Sequence, residues 1–323
     1  MSKPRIAVAT CMRNEGQFVL EWVAYYRAIG FDEILVMTND CDDGTDLILD
    51  RLDTLGEVTH LPNPEMDDLP PLARGIKRAF QHPKITSCDW LLLSDADEFP
   101  CIEHGNGAIH DLIAAMPEDT DCIALHWKAF GTAGLDVFPE GANVLEVNQM
   151  AQDAPDPTGF HKSIFRPEKF AHATDHMPKD PIGPVTVRNT KGDAMNAVAF
   201  NAPWAKYRRT PDAQFTFEGG AMHHYAIRAD DVFVMKNDRG DGRFVRHTKY
   251  YRNSGFYNRF NRNDRKDTTI QRHLADVIDR KAKYLKDVEL SALHTKAINH
   301  FRSHKDRILT PDQLDAWTKE RKT

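Results

Sequence analysis

The amino-acid sequence predicts an α/β protein: a mostly parallel sheet flanked by helices, with a helical region at the C-terminal end. Three observations carry that expectation. Residues 5–127 alternate strand-like and helix-like hydrophobic periods; the run DWLLLS (89–94) is apolar along its centre, as a strand covered on both faces should be; and residues 228–323 return to a helical period.

Each element has its own local reason. RIAVAT (5–10) is a short β-rich run, and in the helix over 15–30 a stripe of Phe18, Val19, Trp22, Val23, Tyr26 and Ile29 ends at Gly30. EILVMT (33–38) is a second strand, 44–56 a second helix stopped by Gly56, EVTHL (57–61) a third strand, and 71–81 a third helix. After the fourth strand come a helix over 106–116 and the strand CIALHW (122–127). Proline and glycine then loosen the pattern, with strand-like pieces at 143–148, 162–166 and 185–189. The final helix opens on Thr310 as cap, Pro311 at its first position and Asp312 in its first turn. The organisation expected is a first half over 1–135, a second half of the same domain over 136–227, and a helical extension over 228–323.

The 323 residues carry a formal net charge of -6, with 41% hydrophobic and 28% charged residues, as in globular proteins. That balance gives no global sign of a nucleic-acid or membrane binder. No run approaches the ~20 apolar residues of a membrane-spanning helix, and the N-terminal stretch does not read as a signal peptide. Five cysteines without a CxxC pair fit a reducing, cytoplasmic setting better than a zinc site.

In open α/β sheets, ligands bind beyond the carboxyl ends of the strands. The loops expected there, CMRNEG, NDCDDGT and DADEF, are all rich in Asn, Asp and Glu. Asp95, Asp97 and Glu98 crowd one strand end, where like charges repel unless a cation is shared among them. That cation is either a lysine or arginine, or a metal. If the chain stays extended, Asp95 and Asp97 point the same way, and two hard oxygen ligands suit Mg²⁺ or Mn²⁺ together with substrate phosphates. The plain alternative is a salt-bridged or solvated acidic turn.

CMRNEG, EWVAYYRAIGFDEILVMTNDCDDGTDLI and DWLLLSDADEF, in that order over about residues 5–135, resemble the family 2-like glycosyltransferases of the GT-A fold, closest to a DXD-containing bacterial branch. HWKAFGTAG, HKSIFRP and MHHYAIRADDVFVMKNDRG resemble it more weakly. The resemblance implies a nucleotide diphosphate sugar donor, a Mg²⁺ or Mn²⁺ ion, and a glycan, lipid or protein acceptor. It implies Arg13, Asn14 and Glu15 at the nucleoside, with Asn14 as a helix cap the structural alternative. Asn39 and Asp40 stand where relatives carry a base-reading acidic pair, and Arg74 where relatives place a basic residue. Asp97 becomes the direct metal ligand and Asp95 a ribose or metal contact. Of His223 and His224, adjacent on a strand, at most one can reach the metal, and His224 is preferred; His172 and His176 are weaker choices. Trp127 and Phe130 resemble an acceptor-side wall. Glu98, Asp136 and Glu218 are the candidate bases for an inverting enzyme.

Residues 236–272 carry eleven Lys and Arg against four Asp, interleaved with aromatics. Alone, that segment also fits a non-catalytic protein binding nucleic acid or an anionic membrane surface; beside a donor site it fits a clamp on a diphosphate. A nucleotidyltransferase on the same fold is a further alternative, but CMRNEG lacks the glycine-rich loop and lysine expected there.

Overall fold

The computed structural model describes residues 3–156, 159–201, 214–240, 250–252 and 254–318. From the N-terminal side the chain forms β1 (Ile6–Met12), α1 (Val19–Ala28), β2 (Glu33–Thr38), α2 (Thr45–Thr54), β3 (Thr59–Pro62), α3 (Pro71–Gln81), the short α4 (Pro83–Thr86) and β4 (Trp90–Leu93). Next come β5 (Glu98–Ile102), α5 (Ile109–Ala114), β6 (Cys122–Ala129) and the single turn α6 (Val144–Val147). They are followed by β7 (Met150–Ala151), β8 (His161–Phe165), β9 (Phe170–Ala173), β10 (Pro178–Pro181), β11 (Val187–Asn189) and β12 (Gly220–His224). The chain closes with α7 (Asp230–Arg239), α8 (Gly255–Phe260), β13 (Arg265–Lys266), α9 (Leu274–Tyr284), α10 (Val288–Ile308) and α11 (Pro311–Thr318).

Among the described residues nine strands form the central sheet, in the order β3-β2-β1-β4-β8-β6-β12-β5, with β11 added on β6. The first four are parallel. β8 runs antiparallel between β4 and β6, and β5 is antiparallel to β12. One edge of β6 serves two partners: β11 pairs with Cys122 to Ala124, and β12 with Trp127 to Ala129. The expected mixed α/β architecture is therefore present, and each strand and helix read from the first 127 residues has a counterpart.

Two local readings change. The chain right after the acidic turn is strand β5, which holds Pro100 and shows no alternation to announce it. The strand expected over 143–148 is instead the turn α6. Its reason is tertiary: the buried Glu21 carboxylate accepts the N–H groups of Val144 and Leu145 at 2.8 and 2.9 Å, satisfying donors at a helix start.

The predicted stripe of α1 is buried in full, together with Leu20 and Tyr25. Burying a large apolar side chain stabilises by roughly 1.5–3 kcal/mol, so this helix anchors the sheet. It also reaches the acidic turn: Trp22 Nε1 donates to the Asp95 carbonyl at 3.2 Å, and Tyr26 Oη lies 2.6 Å from Ser94 Oγ. On the other face α3 comes close to β1 because residue 75 is glycine; a Cβ there would run into Cys11 Sγ.

Candidate active site

The three polar loops meet on one edge of the sheet, as the topology demands. The helix expected from residue 15 starts at Val19 because the preceding loop has its own geometry. Asn14 sits at φ 53°, in the left-handed region, and is not the cap of α1. Its side chain pairs with Asp42, donating to Oδ1 at 2.7 Å, while Asp43 Oδ2 accepts the Gly16 N–H at 2.8 Å. Asp42 and Asp43 are thus braces between the first and second loops.

The fourth strand does not run on extended into its carboxylates. Glu98 N–H closes a turn on the Asp95 carbonyl at 3.2 Å. Two buried lysines serve the three acids of that turn. Lys162, wholly buried on β8, donates to Asp95 Oδ2 at 3.0 Å and lies 3.2 Å from Glu98 Oε2. Lys236 on α7 donates to Asp97 Oδ2 at 2.9 Å and to the Ala226 carbonyl at 2.7 Å. The other oxygen, Asp97 Oδ1, stands 3.6 Å from His224 Nε2. Burial works to lift the Asp97 carboxyl, but Lys236, and after it His224, hold it well below the usual carboxylate range. Glu98 goes the other way: burial pushes it up to about 8 despite Lys162.

A third buried acid completes the pattern. Glu15 Oε2 accepts from Arg228 at 2.9 Å, and its Oε1 pairs with Arg239. Burial would raise its carboxyl, yet Arg239 and Arg228 keep it below normal. Arg228 is fixed further by the Ala96 carbonyl at 2.8 Å and by the Phe18 ring at 3.8 Å.

Around these groups opens a cavity of about 750 Å³. Arg13, Asn39, Asp95 and Asp97 line it from the strand-end loops; Trp127 from β6; Asp175, His176 and His224 from the second half; and Lys236, Arg239, Tyr250 and Phe256 from beyond residue 230. Arg13 Nε is buried with no hydrogen-bond partner among the described residues. Trp127 packs its ring 4.1 Å from that of His224. Of the adjacent histidines only His224 faces the cavity; His223 lies beneath, and burial lowers its imidazole to about 3.

Other expected site residues fall elsewhere. Glu98 is 0% exposed and spends Oε2 on the Asp95 N–H, so it does not line the cavity. Asp136 and Glu218 are surface carboxylates beside Arg252 and Lys191 and do not line it either. Arg74 is buried and turned inward, bonding Asp67 and the carbonyls of Pro64 and Leu69, which ties down the loop before α3. Asp40 is exposed at φ 47° and accepts a hydrogen bond from its neighbour Asn39 in the turn. Phe130 is core, stacked on Tyr225 at 4.5 Å, and His172 faces Asp180 at the surface. The segment 236–272 is no single stripe: Lys236 and Arg239 enter the cavity, while Arg259, Arg262 and Arg265 pair with acids. Arg243, Arg246, Lys249 and Phe244 lie outside the described residues.

Lys162, Asp175 and the pairing of Arg228 with Glu15 carried no individual expectation. A signal existed for Lys236, which follows the apolar run VFVM; lysine is rarely fully buried unless paired.

For a metal, the described residues bring no three His, Cys, Asp or Glu side chains together. Asp97 and His224 form a two-member set of the oxygen and imidazole donors that Mg²⁺ or Mn²⁺ accept. Such a set suits an ion that takes its remaining positions from substrate phosphates and water.

A mixed α/β sheet with a charged cavity at its strand ends has that cavity where open α/β sheets bind their ligands. The model of glycosyltransferase family 92 matches residues 6–301, and the chain belongs to that family. This family is distinct from the family 2-like branch whose motifs the sequence resembles. A glycosyltransferase family 92 protein of Oryza sativa subsp. japonica is 28% identical over 172 residues, which are 50% of this chain and 27% of the relative. One of Ricinus communis is 25% identical over 171 residues, 50% of this chain and 29% of the relative. The chain thus matches under a third of the length of either relative. Among solved structures, S. aureus TarS 1-349 aligns with 94% of this chain and 90% of its own at 13% identity and a TM-score of 0.36. Glucosyl-3-phosphoglycerate synthase from Mycobacterium tuberculosis, in complex with phosphoglyceric acid, aligns with 53% of this chain and 61% of its own at 13% identity and a TM-score of 0.30. No helix among the described residues is long and apolar enough to cross a membrane.

Proposed function

We propose that this family 92 chain moves a sugar from a nucleotide diphosphate donor to an acceptor hydroxyl in the cavity at the strand ends. The observation that carries the reading is the double environment of Asp97: one oxygen 3.6 Å from His224, the other held by Lys236, with all three lining one cavity. Arg13 and Asn39 take the nucleoside, and the unpartnered Arg13 Nε is available to a ribose or phosphate oxygen. Lys236 and Arg239 face the diphosphate and hold the negative charge that grows on it as the glycosidic bond breaks. A Mg²⁺ or Mn²⁺ held by Asp97 and His224 would neutralise the same diphosphate and make it a better leaving group. Asp95, its carboxylate steadied by Lys162, orients ribose or an ordered water. Asp175, which lines the cavity beside His176, replaces Glu98, Asp136 and Glu218 as the base that takes the acceptor proton.

A thermal-shift screen of UDP-, GDP-, dTDP- and CMP-sugars, with and without Mn²⁺, tests the reading, since a ligand bound only by the fold raises the melting temperature. One nucleotide class should stabilise the chain, more so with Mn²⁺, and Asp97→Asn should lose the Mn²⁺ increment while staying folded. No stabilisation by any nucleotide sugar, or an increment that survives Asp97→Asn, would sink the proposal.

A further inference from the structure

A second cavity, of about 550 Å³, lies between α3 and β9 and differs in chemistry from the first. Leu72, Ile76 and Phe80 line it at helical spacing along one face of α3, Leu69 adds to it from just before the helix, and Ala171 and Ala173 stand opposite on β9. The polar residues that α3 contributes, Lys77 and Gln81, lie on the half of the helix away from Leu72. Leu72 and Asp175 line both this groove and the cavity at the strand ends, so the two adjoin there.

We infer that this groove binds the apolar part of the acceptor, an alkyl or prenyl chain attached to the sugar that receives the transfer. The inference rests on the glycosyl-transfer reading above. Two adjoining spaces, one charged and the other mainly apolar, match an amphipathic molecule whose head lies at the join. The join is also where the acceptor hydroxyl must stand, because Asp175 belongs to both spaces. A nucleobase is the wrong occupant. Its edge needs fixed donors and acceptors, whereas the groove wall nearest Leu72 is Leu69, Pro70, Ala73 and Ile76. From Leu72 to Phe80 the helix rises about 12 Å, the reach of an octyl to decyl chain. An aliphatic hollow of this size left in water forgoes apolar burial that such a chain would supply.

The test is calorimetric titration with n-octyl and methyl β-D-glucopyranoside, below the micellar concentration, on the full chain saturated with the nucleoside diphosphate found by the donor screen. Burial of successive methylenes strengthens binding by up to about fourfold each, so the octyl compound should bind at least a hundredfold more tightly. Ala73→Trp, which fills the groove from α3, should weaken the octyl compound at least tenfold and leave nucleotide affinity within twofold. Ala171→Trp does the same from β9 if the first variant does not fold. Equal binding of octyl and methyl compounds, or octyl affinity unchanged in a folded tryptophan variant, would overturn the inference. So would displacement of the octyl compound by nucleotide, which would give the groove to the donor. Octyl binding by a chain that binds no nucleoside diphosphate at all would instead remove the transfer reading, and with it the acceptor assignment.

Discussion

Two parts of the chain supply opposite charges to the ion pairs at the strand ends. The parallel strands β1 and β4 end in Glu15, Asp95, Asp97 and Glu98, whereas the cations that meet them, Lys162, Arg228, Lys236 and Arg239, all come from residues after 160. The first half looks like a self-sufficient acidic cluster calling for a metal, and only with the second half folded over it does each carboxylate acquire an ammonium or guanidinium. Such pairs are poor devices for stability, since burying both charges costs several kcal/mol that their attraction only partly offsets. They do hold ionised groups at fixed distances around an enclosed space, which is what stabilising charge on a leaving group requires.

Breaking the contrast at its centre should have the largest effect. Asp97→Asn is expected to cut transfer on the order of a thousandfold in steady-state kinetics, with the circular dichroism spectrum unchanged. Arg228→Ala tests the structural side of the contrast. It removes a cation 1% exposed that Glu15 needs, and should cost about 3–5 kcal/mol in urea unfolding. Lys236→Met should weaken binding of the nucleoside diphosphate by about ten- to a hundredfold by calorimetry, as loss of a charge-assisted hydrogen bond does.

pH probes the histidines that burial shifts. Burial lowers His126, His176 and His294 to about 4 and His223 to about 3, with Lys162 adding to the effect at His176. Folded-state values below the unfolded 6.5 mean stability present at neutral pH and lost as pH falls towards those values. The slope is up to about 1.4 kcal/mol per proton per pH unit. The urea midpoint should therefore fall steeply between pH 6.5 and 4, and replacing His223 with Asn should shallow the drop. The smallest effect is reserved for Arg74→Lys, which loses the carbonyl bonds of the loop before α3. About 1–2 kcal/mol of stability should go, with nucleotide affinity unchanged, because Arg74 does not line the cavity.

The alternating first half was legible because each element there is decided by local pattern: apolar runs for buried strands, a periodic stripe for α1, glycine stops. So was the strand-end position of the acidic turn. What escaped depended on partners distant in sequence. NVLEVN reads as a strand and folds as a helical turn because Glu21, more than a hundred residues earlier, satisfies its amides. Asn14, read as a nucleoside contact with a helix cap as the alternative, is not the cap and is held by Asp42. Arg74 has the right type for a nucleotide contact and the wrong direction, fixed by Asp67. Asp95 and Asp97 were expected to share a cation; each has a separate lysine, one from β8 and one from α7.

The long helix α10 carries a consequence of its own. Its N-cap Asp287 takes two hydrogen bonds from Arg51 of α2, at 3.0 and 2.6 Å; its Ala297 presses against Gly16, where no Cβ would fit; and Lys305 reaches Asp231 at the start of α7 at 2.8 Å. One rod near the C-terminal end is thus bolted both to the loop that carries Arg13 and Glu15 and to the helix that carries Lys236 and Arg239. A protease nick between α9 and α10 would loosen both jaws of the vice at once, without touching a residue that lines it.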